Sequence, residues 1–268
     1  MHIHFLDPYR PRQSLIHRLD ARIKLVLALA FILTVGLTPP GAWAAYVLIL
    51  AVVLSIVILS ELGVGYVLKR ASLALPFILA ALPVLFTIPG EPLLSFSVGP
   101  WVLTVTLPGL ERFLSIAIKS WISVQIAIVL AASTAFPDLL MAMRAVHFPR
   151  LLVSTFSLMW RYLFILADEV LRLTRARAAR SGQTTLPNLK SGGSIAWRAR
   201  VTGGMAGNLF LRAIERSDRV YMAMISRGYD GEARGFPLPA LRLGHWLILA
   251  LGLGLLTFLL SFSYLIGG

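Results

Sequence analysis

Long apolar runs constrain this chain more than any other feature. A helix needs roughly 20 apolar residues, within a range of ~17–25, to cross the hydrocarbon core of a bilayer. Five runs approach or reach that length: 23–37, 42–62, 71–88, 112–133 and 243–266. The first is short unless Pro39 and Pro40 also sit in the interface, and the third carries Pro76 and Pro83 inside it. Composition agrees: 57% of the residues are hydrophobic and only 14% charged, against about 25% charged in a typical soluble domain. A mean hydropathy of +0.80 is more apolar surface than one core can hide, so the chain needs lipid. Cysteine is absent, which excludes disulfides, thiolate metal sites and cysteine nucleophiles.

The formal net charge of +13 invites a nucleic-acid reading, but its distribution argues for topology instead. Of 25 Lys and Arg residues, five lie in 1–24, two (Lys69 and Arg70) between the second and third runs, and sixteen in 135–242. The complementary loops 38–41 and 89–111 hold none. Cytoplasmic loops carry the excess of Lys and Arg, so the N-terminus is expected inside and the C-terminus outside, with five spans in alternation. A cleaved signal peptide competes for the first run, since Ala42-Trp43-Ala44 has cleavage-site spacing. The segment 1–22 is long for the n-region of such a peptide, and a retained span is expected. Between the third and fourth runs, 94–98 and 102–106 alternate in polarity around Gly99-Pro100, which predicts a small external hairpin.

About 100 residues, 135–242, separate the fourth run from the fifth. Pro137 and Asp138 suit a first helical turn, and Leu139, Leu140, Met143 and Val146 recur at helical spacing. That helix is expected to end near His147, because Pro149 disfavours its continuation. A second helix is expected from 149 to 181, roughly 50 Å long. Its first half is apolar but interrupted by Arg161; its second half is basic through Arg172, Arg175, Arg177 and Arg180. A central arginine is costly in lipid, so an amphipathic helix at the inner membrane face is expected over a sixth span. The Gly- and Ser-rich stretch 183–207 reads as a loop, and a third helix is expected over 208–227.

Both long helices end alike, one in Ala179-Arg180-Ser181-Gly182 and the other in Ser226-Arg227-Gly228. One reading is a helix stop, with glycine at C′ and arginine complementing the dipole. The other is a pair of arginine tips that plug into acidic grooves of a soluble partner, since guanidinium binds carboxylate in a bidentate geometry that lysine lacks.

Four stretches carry a family likeness: Leu19-Asp20-Ala21-Arg22-Ile23-Lys24-Leu25, Ser133-Thr134-Ala135-Phe136-Pro137-Asp138-Leu139-Leu140, Trp160-Arg161-Tyr162-Leu163-Phe164, and the two arginine endings. In this order they resemble the transmembrane T component of energy-coupling factor (ECF) transporters, most closely the CbiQ type of cobalt systems. The endings resemble the short Ala-Arg-Gly signatures of that family's coupling helices, with Ser181 in place of glycine and Ser226 in place of alanine.

The resemblance implies an all-α integral membrane protein with about five transmembrane helices plus long amphipathic coupling helices. It would divide into an N-terminal membrane region over 1–134, a cytoplasmic coupling domain over 135–242 and a last span over 243–268. It implies a non-catalytic subunit of the bacterial or archaeal cell membrane. Two cytoplasmic ATPase subunits would bind ATP and Mg. A separate membrane substrate-binding (S) subunit, optionally with a small accessory membrane subunit, would carry the cargo, cobalt ion in the cobalt systems. On that pattern Arg180 and Arg227 are the coupling residues, flanked by Ala179, Ser181, Ser226 and Gly228. A T component for a vitamin shares the fold, and a stand-alone channel or secondary transporter is the rival from another class.

The remaining features are weaker. The chain has no G-x-x-x-x-G-K-S/T loop and no H-E-x-x-H, so neither a P-loop ATPase nor a common zinc protease is expected. Glu61 is the only acidic residue of the five runs, and it lies at an end, which disfavours a proton or cation pathway. Lys119, two turns into the fourth run, is either a lysine snorkelling to the outer interface or a contact to a neighbouring helix or subunit. His2 and His4 would point the same way in an extended tail and make a weak candidate metal site, since imidazole suits Co and Ni.

Overall fold

The computed structural model describes residues 8–98, 101–180, 194–231 and 240–267; His2, His4 and Ser181 lie outside them. Two compact units emerge, one of residues 7–146 with 238–268 and one of residues 1–6 with 147–237.

The first unit is a helical bundle with an apolar core and an apolar outside. After a short turn of helix, α1 (Leu15–Arg18), comes α2 (Ala21–Leu37). It starts where the Asp20 carboxylate accepts from the Arg22 N–H at 2.9 Å, an N-cap bond. α3 (Trp43–Leu59) returns after Gly41, whose φ of +86° suits glycine. The third predicted run is a broken helix: α4 (Val64–Ala71), a 3-10 turn (Ser72–Ala74), α5 (Leu75–Ala80) and α6 (Val84–Thr87). The breaks have a sequence cause. Pro76 stands in the first turn of α5 and Pro83 caps α6, and neither offers an N–H to the turn before it.

The predicted hairpin is present, with β1 (Pro92–Val98) antiparallel to β2 (Trp101–Thr106) and Val98 opposite Trp101. Thr106 ends it and opens the next helix: its Oγ1 donates to the Ile88 carbonyl at 2.8 Å and accepts from the Gly109 N–H at 3.2 Å. A Cβ on Gly109 would stand 2.7 Å from the Leu85 carbonyl oxygen, so only glycine fits. The unit closes with α7 (Leu107–Ser133), α8 (Phe136–Ala145) and, after the second unit, α11 (Leu243–Gly267). α8 ends as expected before His147, whose φ is +62°.

α2, α3, α7 and α11 pack around Val35, Val53, Ile122, Val129 and Leu259. Outside, Leu33, Val47, Leu251 and Leu265 are exposed, the surface of a chain whose solvent is hydrocarbon. Among the described residues, four helical stretches are long and apolar enough to span a bilayer: Val64–Thr87, Leu107–Ser133, Arg150–Arg180 and Leu243–Gly267. α2 and α3, at 17 residues each, stand at the short end of the ~17–25 range. The chain is an all-α multi-pass membrane protein, save for the one hairpin. Two boundaries differ from the sequence reading. The third span starts at Val64, not 71, because Gly63 with a φ of +87° releases the chain there and Lys69 and Arg70 fall within the helix. The fourth starts at Leu107, not 112, because Thr106 supplies the cap and Pro108 is tolerated in a first turn.

In lipid, no water completes the last carbonyls of a helix. α2 and α7 complete each other's. Lys24 Nζ, at the start of α2, donates to the Ser133 carbonyl at 2.9 Å, and the Arg10 N–H donates to the Ala132 carbonyl at 2.9 Å. At the other face Lys119 Nζ donates to the carbonyls of Thr38 and Gly36, and the Tyr264 hydroxyl to that of Leu37 at 3.1 Å. Lys119 is thus a contact to a neighbouring helix. Lys119→Met strands the α2 carbonyls, and removing one partner of a buried bond costs about 1–3 kcal/mol. The thermal midpoint in detergent is expected to fall accordingly; an unchanged midpoint refutes the cap.

The segment before α2 docks through His17. Its Nε2 donates to the Arg10 carbonyl at 3.0 Å, and its Nδ1 lies 2.7 Å from Ser14 Oγ, a hydroxyl that donates to the neutral ring. Arg10 in turn lies over the Tyr66 ring, 3.7 Å from its centroid. Burial, aided by the nearby Lys24 charge, holds the His17 pKa below its ordinary 6.5 against the opposing Arg10 carbonyl bond. The folded state therefore binds fewer protons than the unfolded one in the window below pH 6.5. Its stability is full above 6.5 and declines as the pH falls towards the folded pKa. Thermal midpoints measured from pH 8 to 5.5 should fall more steeply in wild type than in His17→Gln; parallel profiles would exclude the effect.

Candidate functional site

The second unit is built from two helices of 31 residues, α9 (Arg150–Arg180) and α10 (Ile195–Ile225). α9 is apolar in its first half, where Trp160 and Phe164, one turn apart, meet edge-on with centroids 5.0 Å apart. Its second half is an exposed basic stem ending in Ala179 and Arg180.

α10 starts thirteen residues before the sequence reading placed it, so 195–207 is helix and not loop. Gly203, Gly204 and Gly207 misled that reading, since each costs a helix about 1 kcal/mol relative to alanine. One local feature and one contact from α9 outweigh them. Ser194 caps the helix by accepting from the Trp197 N–H at 3.2 Å, and Thr202 accepts from Arg177 Nη1 of α9 at 2.9 Å.

The two helices cross at Glu169. Its carboxylate, 17% exposed, takes Arg212 at 3.2 Å and Arg216 at 3.5 Å, one turn apart on α10. Moving from Glu169 up to Arg177 on α9 means moving from Arg212 down to Thr202 on α10, so the helices run antiparallel. Their C-terminal ends therefore lie on opposite sides of the crossing. At about 1.5 Å per residue, Arg180 stands roughly 16 Å from it along α9 and Arg227 roughly 20 Å along α10.

The α10 ending has a defined geometry. The Tyr229 N–H donates to the Met224 carbonyl at 3.0 Å and the Gly228 N–H to that of Ile225 at 2.9 Å. With Gly228 at a φ of +76°, this is a Schellman motif with glycine at C′. Ser226 folds its hydroxyl back onto the Ala223 carbonyl at 3.1 Å. Gly228 is thus a helix stop, and the stop leaves the Arg227 side chain exposed. Among the described residues neither Arg180 nor Arg227 has an acceptor for its guanidinium. The structure does not bring the two arginines together; it separates them. Among the described residues no three His, Asp or Glu side chains gather as a metal site.

The crossing residues Glu169, Arg212, Arg216 and Thr202 were missed from sequence. A lone carboxylate within the basic stem of α9, and two arginines four apart, were the available signals. Exposures of 52% and 36% on the arginines keep the pairing modest, about 1 kcal/mol or less. Glu169→Gln should lower amide-exchange protection around Arg212 by no more than about fivefold. Unchanged protection would show that the crossing is held by other contacts.

A family model described as cobalt transport protein, CbiQ, matches residues 12–237, most of the chain. The chain belongs to the CbiQ family. Among curated relatives, the cobalt transport protein CbiQ of Salmonella typhimurium is 28% identical over 222 residues, 78% of this chain and 90% of the relative. The energy-coupling factor transporter transmembrane protein EcfT of Listeria innocua is 28% identical over 238 residues, 84% of each chain. CbiQ of Rhodobacter capsulatus is 26% identical over 211 residues, 79% of each. The matched span of the family model contains both long helices and both arginine endings.

Proposed function

We propose that this chain is the T component of an ECF-type transporter, passing the work of ATP hydrolysis from partner ATPases to a cargo-binding membrane subunit. One observation carries the reading: the two arginine-ended helices are antiparallel, so their exposed guanidiniums, without an acceptor among the described residues, lie on opposite sides of the crossing. A pair of separate acidic grooves on two partner subunits suits that arrangement better than one shared site. ATP and magnesium are bound by those partners, and this chain itself does no chemistry. The distribution of Lys and Arg sets the N-terminus in the cytoplasm and the C-terminus outside. Two relatives are named for cobalt transport, which makes cobalt ion the favoured cargo.

Rigid helices joined by an ion-pair crossing transmit force as levers. When the two ATPases close on nucleotide, their grooves approach and the arginine ends are drawn together. The crossing at Glu169 then converts that closure into a rotation of the apolar half of α9 against α10. The cargo-binding subunit, seated on that moving apolar surface, releases its ion inward.

The experiment is co-purification of this chain with candidate ATPase subunits, comparing wild type with Arg180→Glu, Arg227→Glu and the double variant. Charge reversal turns each carboxylate contact repulsive while leaving the membrane bundle intact. Each single variant is expected to retain about half the ATPase, and the double variant to lose it at least about tenfold, the loss of one strong charge-assisted contact per site. A folded double variant that keeps both ATPases overturns the coupling reading. Cobalt uptake by this chain alone in liposomes, without ATP, favours the stand-alone transporter instead.

A further inference from the structure

At the start of α2 two cavities lie wall to wall, sharing Leu19, Lys24 and Ser133. All of their lining belongs to the membrane bundle, and the coupling reading uses none of it. The first cavity, about 190 Å³, is a slot of hydrocarbon between α2, α3, α7 and α11, walled by Phe31, Ile56, Val129 and Leu255. The second, about 220 Å³, is polar and is bounded by Arg22, Thr134 and Asp138 among others.

The polar cavity holds groups whose bonding is incomplete. Ser133 and Thr134 are 2% and 5% exposed, yet neither hydroxyl has a partner among the described residues. A buried hydroxyl left unpaired is destabilising, so both positions call for a ligand atom. Lys24 Nζ spends two of its three N–H groups on the carbonyls of Ser133 at 2.9 Å and His17 at 3.5 Å, leaving one. Of the two carboxylates there, Asp20 is committed to its cap bond with the Arg22 N–H and lies 3.6 Å from Arg22 Nε. Asp138 has no ion pair or hydrogen bond among the described residues. The cavity thus offers donors for an anion on one side, a carboxylate that feels the Lys24 charge but makes no direct bond among the described residues on another, and a hydrocarbon slot beyond.

We propose that the joined cavities hold a membrane phospholipid with a primary-amine head group. Its phosphate accepts from Lys24, Ser133 and Thr134, its ammonium pairs with Asp138, and one acyl chain fills the apolar slot. A zwitterionic head matches both charges of the cavity. A purely anionic head would set a second negative charge beside Asp138, and a fatty alcohol would leave Lys24 and Asp138 with only the attraction they feel across the cavity. An apolar cavity of about 150 Å³ stays dry and takes up hydrocarbon in a soluble protein. In a bilayer, acyl chains are the surrounding solvent, and a tail in the slot gains dispersion contacts that an empty slot forfeits.

The test uses the full chain purified in detergent. Phosphatidylethanolamine, phosphatidylcholine and phosphatidylglycerol with the same acyl chains are added in turn. Retained lipid is read by native mass spectrometry and the thermal midpoint is recorded. Wild type is expected to retain the ethanolamine lipid at least about tenfold over the other two, the worth of one charge-assisted bond. Asp138→Asn should remove the preference over phosphatidylcholine. Ser133→Ala with Thr134→Val should lower retention of all three lipids, while its lipid-free midpoint stays at or above that of wild type, because unpaired hydroxyls are removed. Ile56→Trp fills the slot and should abolish retention. Equal retention of the three lipids by wild type, a preference that survives Asp138→Asn, or lipid still carried by a folded Ile56→Trp variant overturns the proposal.

Discussion

A membrane bundle is governed by the backbone groups that its helices leave open at their ends. Water completes those groups in a soluble protein; the hydrocarbon core offers nothing. Here the antiparallel pair α2 and α7 solves the problem reciprocally. Lys24 from the first helix closes the end of the second, and Lys119 from the second closes the end of the first. Each lysine does two things at once: it satisfies carbonyls and it places its positive charge at the negative end of a helix dipole. The cluster around Val35, Val53 and Ile122 forms between these two closures, and the loops at either face inherit their positions from them.

The same need for closure explains why the N-terminal segment and α8 attach where they do. Arg10 donates its N–H to the end of α7 and stacks its guanidinium on Tyr66 of α4, while α8 begins directly after the capped end and packs on α2. The Leu19–Leu25 and Ser133–Leu140 motifs, separated by more than 100 residues in sequence, meet at one place, and that place holds the two joined cavities.

The helices of the second unit follow a different logic. They bury little, and Val153 and Ser154 are the buried residues of α9 among those described. What defines their arrangement is one carboxylate against two guanidiniums at Glu169 and one hydroxyl at Thr202. A crossing held by a few polar contacts leaves long arms on either side of it. The glycines in α10 fit the same picture. A Cβ at Gly203, Gly204 or Gly207 would meet nothing within 4 Å, so they are not there for close packing.

Much of this was legible in the sequence. The apolar runs, the hairpin, the end of α8 and the glycine stop after Arg227 were read from hydropathy, alternation and the placement of proline and glycine, because each depends on residues near one another in the chain. Charge counting sufficed for an expected topology, and motif order for the family. The start of α10 was not legible, because three glycines argue locally against helix while the Ser194 cap and the Arg177–Thr202 bond argue for it, and that bond exists only once α9 is alongside. The role of Lys119 was left as two alternatives for the same reason: its acceptors lie some 80 residues away. The sequence by itself determined that the chain lies in a membrane and where its helices run, since burial in lipid acts on local composition. Only the tertiary structure decided which polar groups complete one another, which hydroxyls stay unpaired among the described residues, and that the two arginine ends lie on opposite sides of the crossing, because these depend on long-range partners that no local pattern encodes.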